Sequence, residues 1–482
     1  MTVRRFKYVD LFAGCGGLSL GLDQAGFELA LAVEKSDMAA ETFYHNFIKR
    51  IPDSGHWRRY CELSVEEQAA ERLVVKELSA VLDSKEVLNS LREQGIDLVA
   101  GGPPCQGFSL AGRRNPEDAR NQLPWQFLEF VAAVEPKAII IENVSGMSQD
   151  FKKHGKQSPF DQLRQALVET GPGYAVQPVL LNAMHFGAPQ HRPRVMLLGL
   201  RKDLALNTGF EFSDHTWRSE FDNVGSLRFK SRPGIVPAAS HFGGEILTVA
   251  DAIADLSRTG YRQSTNISAF AQEMRKDVSW MPAHLQPPNG KRAPANHTMR
   301  NHAPHIETRF RLYQYFRDEG IHPQVMGLPK KTEIPESGLR TLVREAVASA
   351  RLPATAPDKT VIAEDLDSLV DVIMSLGTKK HSQRPLNWST PSPTVVSLPD
   401  DYVHPEEPRT LSVRELARFQ SFPDSFEFRA KETTGSLRRR IEVPQYTQVG
   451  NAVPPKMAKA VGAAMHRALV AGLAKSKVSE VA

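Results

Sequence analysis

The 482-residue sequence has only three cysteines, Cys15, Cys61 and Cys105, and they are widely separated. An odd number of scattered cysteines argues against a disulfide framework and favours a reducing compartment, so we expect a cytoplasmic protein. The fold must then depend on an apolar core. Hydrophobic residues make up 41% of the chain, which is enough for a large core.

Long apolar runs are also missing. The longest ones, such as 138–141 and 195–198, are far too short to cross a bilayer. Three basic residues near the start lead directly into 9–12 without an extended apolar segment, so neither export nor a membrane location is expected.

Charge of one sign is barely in excess. There are 60 Lys and Arg residues against 55 Asp and Glu residues, which gives a formal net charge of +5. This balance permits a nucleic-acid partner but is weak evidence for one.

The first 200 residues alternate short apolar runs with amphipathic stretches, which is typical of βαβ units and an α/β fold. We predict strands at 8–12, 28–33, 97–100, 138–141 and 195–200, and a helix at 18–25. From about 201 to 383 the chain is richer in polar residues, Pro and Gly, which predicts a second, loop-rich domain with one helix at 341–350. Helices are predicted again at 412–419 and 454–474.

A glycine-rich turn, 13–17, follows the first predicted strand and precedes a helix. Such a turn lets backbone approach a ligand, and helix N–H groups point at it. Glu34 ends the next strand, where a carboxylate can accept hydrogen bonds from a ribose diol. The pattern indicates a nucleoside-containing cofactor, although a tight turn without a ligand stays open. The glycine spacing departs from Gly-x-Gly-x-x-Gly, which disfavours NAD.

Three more segments place reactive groups at strand ends. Cys105 follows the strand 97–100, at the edge where open α/β sheets bind ligands, and it is either a nucleophile or a packing thiol. The polar run after it predicts a mobile loop that can close over a substrate. Glu142 ends an apolar strand, either as a proton donor with a raised pKa or as a helix cap.

Arg192 and Arg194 alternate onto one face at the start of a strand. Two converging guanidiniums can hold a carbonyl oxygen or carboxylates, and a solvated charge pair is the alternative.

Six short blocks occur in a fixed order: 12–17 (FAGCGG), 103–106 (PPCQ), 142–144 (ENV), 190–194 (QHRPR), 408–423 (PRTLSVRE with QSFP) and 448–455 (QVGNAVPP). This succession resembles the bacterial DNA (cytosine-5)-methyltransferases of the restriction–modification type. The blocks and their flanks extend from Asp10 to about Ala474.

The resemblance implies S-adenosylmethionine as methyl donor, S-adenosylhomocysteine as product, and no metal. It makes the Cys105 thiolate the nucleophile that adds to cytosine C6, where a thiolate rather than a thiol reacts. Glu142 would protonate or hydrogen-bond N3, and Asn143 would help to order the site. Arg192 and Arg194 would orient the base and the catalytic groups, with Arg194 nearer to the cytosine O2.

The resemblance also implies a set of cofactor contacts: Phe12, Gly14, Gly16, Leu18, Glu34, Pro104, Leu123, Asn451 and Val453. Two positions depart from the family. Glu77 stands in for the aspartate that usually binds the adenine amino group, and Lys35 stands where an aromatic residue often stacks on adenine.

The partner implied is duplex DNA, from which the target cytosine must be flipped out. Gln106, Ser109, Arg113 and Arg114 would then fill the gap and grip phosphates, and 296–302 and 309–311 could contact phosphates or bases. A Rossmann-like catalytic domain would comprise 1–200 and 444–474. A smaller target recognition domain would comprise 201–443, with its variable region at about 201–383, before a tail at 475–482.

Other functions stay open at this point. They are a tRNA cytosine-C5 methylase, a DNA- or nucleoside-binding module without catalysis and, most remotely, an NAD-dependent oxidoreductase. The long variable region argues against the first, and the intact set of Cys105, Glu142 and the two arginines argues against the second. We expect a monomer that acts either beside a restriction endonuclease or as a solitary methylase.

Overall fold

A mixed β-sheet forms the centre of the molecule. The structure, a computed structural model, describes residues 5–104, 122–144, 158–257, 267–278, 281, 294–380, 383–435, 438 and 441–479. Within these residues eight strands form one sheet in the order β3-β2-β1-β4-β5-β7-β6-β8. They are β1 (Phe6–Leu11), β2 (Phe27–Val33), β3 (Leu73–Val74), β4 (Leu98–Gly101), β5 (Ala138–Val144), β6 (Tyr174–Asn182), β7 (Pro193–Arg201) and β8 (Trp217–Arg218).

All neighbouring strands are parallel except at β7, which runs antiparallel to both β5 and β6. The α/β fold class is confirmed, and each predicted strand is present. The strand β5 continues beyond the apolar run 138–141, because Glu142 and Asn143 still pair with Met196 and Val195 of β7. The alternation of side chains along a strand determines the face of the sheet on which each one lies. It does not determine the residue at which the hydrogen-bonded pairing of the strand ends.

Helices cover both faces of the sheet and make up most of the remaining regular structure. The α-helices are Gly17–Gln24, Asp37–Phe43, Ser54–Glu62, Val65–Ala70, Leu78–Asp83, Lys85–Gln94, Leu123–Val134, Pro159–Glu169, Lys202–Thr208, Phe221–Val224, Val249–Ile253, Ala269–Lys276, Pro304–Glu319, Glu336–Ala346, Leu366–Leu376, Val413–Phe419, Gln445–Asn451 and Pro455–Ser479. A π-helix, Tyr44–Ile48, and four 3₁₀ segments, Ala183–Phe186, Gly243–Glu245, Ala254–Leu256 and Pro323–Lys330, are also present among the described residues.

Two apolar clusters lie on opposite faces of the sheet. Successive residues of one strand contribute to different clusters, as with Tyr8 in one and Val9 in the other, or Ile140 in one and Ile139 in the other. This is the alternation expected of a strand that is buried on both faces. Such burial explains why the strands appear in the sequence as continuous apolar runs.

The C-terminal helix Pro455–Ser479 packs directly against the helix Gly17–Gln24. A Cβ atom on Gly21 would lie 2.4 Å from the Cβ of Ala458, and one on Gly17 would lie 2.3 Å from the carbonyl oxygen of Val453. These distances are too short for real Cβ atoms, so both positions need glycine. The first and last parts of the chain therefore share one apolar core.

A third apolar cluster is built from 306–403, and its centre includes Phe310, Tyr313, Val343 and Leu369. Two short strand pairs belong to this part of the chain: Ala354–Thr355 with Val361–Ala363, and Arg384–Pro385 with Tyr402–Val403. Residues between 204 and 256, such as Trp217 and Val249, instead join the core that contains the C-terminal helix. The domain boundaries at 200, 383 and 443 stay predictions.

None of the helices in the described part of the chain is both long enough and apolar enough to span a membrane.

Candidate active site

The reactive groups gather at one edge of the sheet because of its topology. The strands β1, β2, β4 and β5 are parallel, so their carboxyl ends meet there. The antiparallel strand β7 starts at the same edge, where Arg194 pairs with Val144 at the end of β5. Side chains that are more than a hundred residues apart in sequence are thereby brought together.

The glycine-rich turn after β1 has an unusual backbone path. The φ angles of Phe12, Gly14 and Gly16 are +60°, +57° and +98°, all in the left-handed region. Phe12 has a side chain, so its conformation is strained, and strain of this kind is concentrated at functional sites. Among the described residues no heavy atom lies within 4 Å of a Cβ placed on Gly14, so this part of the chain leaves open space above the turn.

Glu34 fixes this turn from the end of β2. One carboxylate oxygen accepts a hydrogen bond from the Gly14 N–H at 2.9 Å, and the other accepts one from the Ser36 N–H at 2.8 Å. Burial raises the pKa of Glu34, while these two N–H groups lower it. A carboxylate has about four acceptor sites, so Glu34 could also accept a hydrogen bond from a ligand hydroxyl.

Glu142 and Arg194 form an ion pair in which Nε of Arg194 lies 2.8 Å from a carboxylate oxygen of Glu142. Both side chains are nearly buried, with about a tenth of each exposed: 12% for Glu142 and 10% for Arg194. Burial raises the pKa of Glu142, and the guanidinium of Arg194 opposes this rise. The result is a carboxyl group whose proton can be held or released according to what binds beside it.

The chain that leads into Cys105 lies against this pair. The side-chain amide of Asn143 donates a hydrogen bond to the carbonyl of Pro103 at 2.9 Å. A Cβ on Gly102 would lie 3.0 Å from a carboxylate oxygen of Glu142. The backbone two and three residues before Cys105 therefore contacts the predicted acid and its neighbour.

Arg192 has a different environment from Arg194. Its guanidinium is buried and donates to three backbone carbonyls, those of Val395, Gly450 and Ala452, at 3.0, 2.7 and 3.1 Å. We expected both arginines to orient the base and the catalytic groups, and this stays a prediction. The structure joins Arg194 to Glu142 and joins Arg192 to backbone segments that come from far along the chain.

The other predicted cofactor residues differ in their exposure to solvent. Leu18 and Val453 are buried, Leu123 is half-buried at the start of its helix, and Pro104 and Asn451 are exposed. The Val453 carbonyl lies directly against Gly17, as described above.

The two departures from the family contact each other: Nζ of Lys35 lies 3.5 Å from a carboxylate oxygen of Glu77, and both side chains are exposed.

Five predicted residues lie outside the described part of the chain: Cys105, Gln106, Ser109, Arg113 and Arg114. The two other cysteines are described. Burial raises the pKa of the Cys15 thiol to about 12 and that of the Cys61 thiol to about 11. Neither thiol is suited to act as a thiolate nucleophile near neutral pH.

Several buried glutamines were given no function from the sequence. Gln448 accepts a hydrogen bond from the Thr42 hydroxyl at 2.7 Å and donates to the carbonyls of Met38 and Val443. Gln190 and Gln420 hydrogen-bond to each other at 2.9 Å. All three occur inside the recognised blocks, and that position was the available signal. A polar residue in a motif gives no indication of its partner when the partner is hundreds of residues away.

Comparison with known proteins identifies similar sequences over most of the chain. The profile described as "C-5 cytosine-specific DNA methylase" matches residues 6–59 and 76–467. Type II methyltransferase M.AgeI of Thalassovita gelatinovora is 30% identical, over 94% of this chain and 98% of its own length. Type II methyltransferase M.DdeI of Desulfomicrobium norvegicum is 28% identical, over 94% of this chain and 86% of its own length.

Among solved structures, a prophage-encoded DNA modification methyltransferase of E. coli has a similar fold. Its TM-score is 0.58 at 21% sequence identity, and the match covers 96% of this chain and 99% of the other. Because the family profile spans most of the sequence and the relatives match nearly end to end, the chain belongs to the C-5 cytosine-specific DNA methylase family.

Proposed function

We propose that this DNA cytosine-5 methyltransferase methylates a cytosine within a specific duplex sequence, with Cys105 as nucleophile and Glu142 and Arg194 as the groups that activate the base. One observation carries the assignment of residues: the backbone leading into Cys105 lies against Glu142 and Asn143, and Arg194 pairs with Glu142. A nucleophile, an acid and a cation would then be available at one edge of the sheet.

Cytosine C5 is a poor nucleophile, so the reaction needs an added electron pair. The Cys105 thiolate forms a bond to C6, and the C5–C6 π electrons become available at C5. Glu142 donates a proton or hydrogen bond to N3, which stabilises the charge that develops on the ring. After C5 is methylated, loss of the C5 proton and departure of the thiolate restore the aromatic ring.

Arg194 stabilises this step in two ways. Its guanidinium holds the Glu142 carboxyl in place, and a planar group with five donors can also donate to a carbonyl oxygen of the base. Asn143 ties the end of β5 to the Pro103 carbonyl, which limits the movement of the nucleophile relative to the acid. Arg192 is then a positioning residue rather than a contact of the base, because its bonds go to backbone carbonyls.

The family uses S-adenosylmethionine, and the residues around the glycine-rich turn fit such a molecule. Two observations support this fit: among the described residues there is open space above Gly14, and the Glu34 carboxylate stands beside the turn as an acceptor for ribose hydroxyls. When bound, S-adenosylmethionine supplies the methyl group from its sulfonium. Phe12, Gly14, Gly16 and Leu18 would form the pocket from one side, and Asn451 and Val453 would close it from the other.

The substrate is duplex DNA, and the part of the chain between 201 and 443 is proposed to recognise its sequence. The separate apolar cluster within 306–403 supports an independently packed recognition unit. The names of the relatives above favour a role beside a restriction endonuclease, with methylation protecting host DNA. Gln106, Ser109, Arg113 and Arg114 are proposed to contact the DNA where the base leaves the helix.

Methyl transfer to DNA tests the proposal. Wild-type protein should transfer tritium from labelled S-adenosylmethionine to unmethylated duplex DNA, and Cys105→Ala should abolish this transfer. The matched control is Cys61→Ala, which removes a half-buried thiol with a raised pKa and should leave the rate unchanged. Equal incorporation by wild type and Cys105→Ala would remove Cys105 from the mechanism. Preference for tRNA over DNA would identify the other substrate class.

A further inference from the structure

A buried pair of carboxamides lies behind the active-site edge of the sheet. The side chains of Gln190 and Gln420 are inaccessible to solvent, and Nε2 of Gln190 donates to Oε1 of Gln420 at 2.9 Å. The two residues are 230 positions apart in sequence. Gln190 lies in the segment that leads into β7, and Gln420 directly follows the helix Val413–Phe419.

The neighbours of this pair fix the orientation of both carboxamides. The Val395 N–H donates to Oε1 of Gln190 at 2.6 Å, and Nε2 of Gln190 also donates to the Phe419 carbonyl at 3.2 Å. Nε2 of Gln420 donates to the carbonyl of Val449 at 2.6 Å. An N–H can only donate and a carbonyl can only accept, so neither carboxamide can be reversed without losing these bonds.

Arg192 continues the network toward the same backbone. It donates to Gly450 and Ala452, while Gln420 donates to Val449 and, more weakly at 3.4 Å, to Ala452. Three of the four residues 449–452 are therefore held through their carbonyls by two side chains from different parts of the chain. This segment includes Asn451 and leads into Val453, both proposed to close the cofactor pocket.

The other side of the network lies close in sequence to Arg194, which is proposed to contact the base. Gln190 and Arg192 lie four and two residues before Arg194, which pairs with Glu142. The backbone between them is also held from outside, because the His191 N–H donates to the Ser392 carbonyl at 2.8 Å. The position of Arg194 at the start of β7 therefore depends on where this short segment is fixed.

We propose that Gln190 and Gln420 act as one positioning pair. The pair holds the proposed cofactor pocket and the proposed base pocket at a fixed position relative to each other. The proposal rests on the proposed function, since it assumes that Arg194 contacts the base and that 449–453 borders the cofactor. Its physical basis is that a buried pair of carboxamides whose nitrogen and oxygen atoms all have hydrogen-bond partners has one low-energy arrangement. Removing one carboxamide leaves buried donors and acceptors unpaired, so both attached segments shift to recover partners.

Gln190→Met and Gln420→Met test this, because methionine keeps the length of the side chain and removes its amide. Each variant should lower kcat and raise the KM for S-adenosylmethionine, by about tenfold each, since a displacement of catalytic groups by a fraction of an ångström has effects of this size. The double variant should be no worse than the worse single variant, because the pair acts as a unit.

Gln177→Met is the matched control. Gln177 is equally inaccessible and makes the same number of bonds, donating to the carbonyls of Pro178 and His215 and accepting from the Ser213 N–H. It lies in β6, away from the active-site edge. This variant should lower the melting temperature about as much as Gln190→Met, with kcat and KM unchanged. A purely structural role for the pair predicts the same result for all the variants.

The outcomes separate the two proposals. If wild-type protein transfers no methyl group to DNA, the proposed function fails. If wild type is active and the Gln190 and Gln420 variants resemble Gln177→Met in kcat and KM, or if their effects multiply in the double variant, the positioning pair is overturned. Should Gln190→Met fail to fold, Gln420→Met carries the same expectation. The dissociation constant for S-adenosylhomocysteine, measured without DNA, then gives the effect of the substitution on the proposed cofactor pocket directly.

Discussion

The two halves of the active-site edge are built in different ways. The proposed cofactor half, at the ends of β1 and β2, consists mainly of backbone: a turn with left-handed residues, two N–H groups and one carboxylate. The proposed base half, at the ends of β4 and β5 and the start of β7, consists of side chains that oppose and orient one another. The first half comes from 23 consecutive residues, 12–34, and the second needs segments that are distant in sequence.

This difference has a physical reason. S-adenosylmethionine gives up its methyl group in each turnover, but its nucleoside part is the same before and after the transfer, so fixed hydrogen-bond groups of the backbone can hold that part. A base that becomes charged during the reaction needs groups that respond to charge, namely a titrating carboxyl and a guanidinium. The two halves should therefore respond separately to substitution, and three predictions test that separation.

The largest effect is expected in the base half. Glu142→Gln keeps the shape of the side chain and removes its titrating proton, so kcat should fall by about 10²- to 10⁴-fold. The dissociation constant for S-adenosylhomocysteine should stay at the wild-type value. Tritium transfer gives the first quantity and isothermal titration calorimetry the second. A large loss of cofactor affinity in this variant would show that the halves are not separable.

A smaller effect is expected for Glu34→Gln, and it should be on cofactor affinity rather than on kcat. The amide replaces one acceptor oxygen by a donor that faces the N–H of Gly14 or Ser36, so cofactor affinity should fall about tenfold. At saturating S-adenosylmethionine kcat should be close to wild type, because Glu34 lies away from Glu142 and Arg194. A kcat that stayed low at saturation would contradict the division into halves.

The smallest effect on catalysis is expected for a substitution of Asp10, two residues before Phe12. Asp10 is buried in β1, with one carboxylate oxygen accepting from the Ser19 hydroxyl at 2.6 Å and the other without a hydrogen-bond partner among the described residues. Burial raises the pKa of Asp10 from 3.8 to about 7, against the effect of the Ser19 bond, and the charge of Glu34 adds to the rise.

The sign of the pH dependence follows from this shift. The folded protein keeps a proton on Asp10 that the unfolded chain releases above pH 3.8, so the stability from this group is lost as pH rises toward 7. Asp10→Asn removes the titration. Relative to wild type it should gain melting temperature between pH 4 and pH 8, with a free-energy gain of roughly 2–4 kcal/mol at the upper end.

Asp203→Asn is the control of opposite sign, because the hydrogen bond from Arg201 lowers the pKa of Asp203. This variant should lose stability relative to wild type as pH rises through the acidic range, and only slightly, since the Asp203 side chain is exposed to solvent. A pH-independent difference for Asp10→Asn would show that its carboxyl does not titrate as described.

Sequence reasoning was most successful where chemistry depends on neighbouring residues. The strand–turn–helix around Gly14, the carboxylate at Glu34 and the polar end of β5 at Glu142 were all predicted from apolar runs that stop at a reactive residue. The roles of Arg192 and Arg194 were harder to predict. Alternation placed them on one face, yet each guanidinium bonds to whatever segment the fold brings beside it.

The amino-acid sequence by itself determined the α/β class, the order along the chain of the strands that end in functional groups, and the position of the glycine-rich turn. These features depend on backbone propensity and on the alternation of apolar residues, which are set by residues close together in sequence. Only the tertiary structure decided that Arg194 joins Glu142, that Lys35 meets Glu77, and that Gln190 meets Gln420. Those pairs form between segments that are distant in the chain. Their geometry depends on how the whole sheet and its covering helices pack, and no short pattern specifies it.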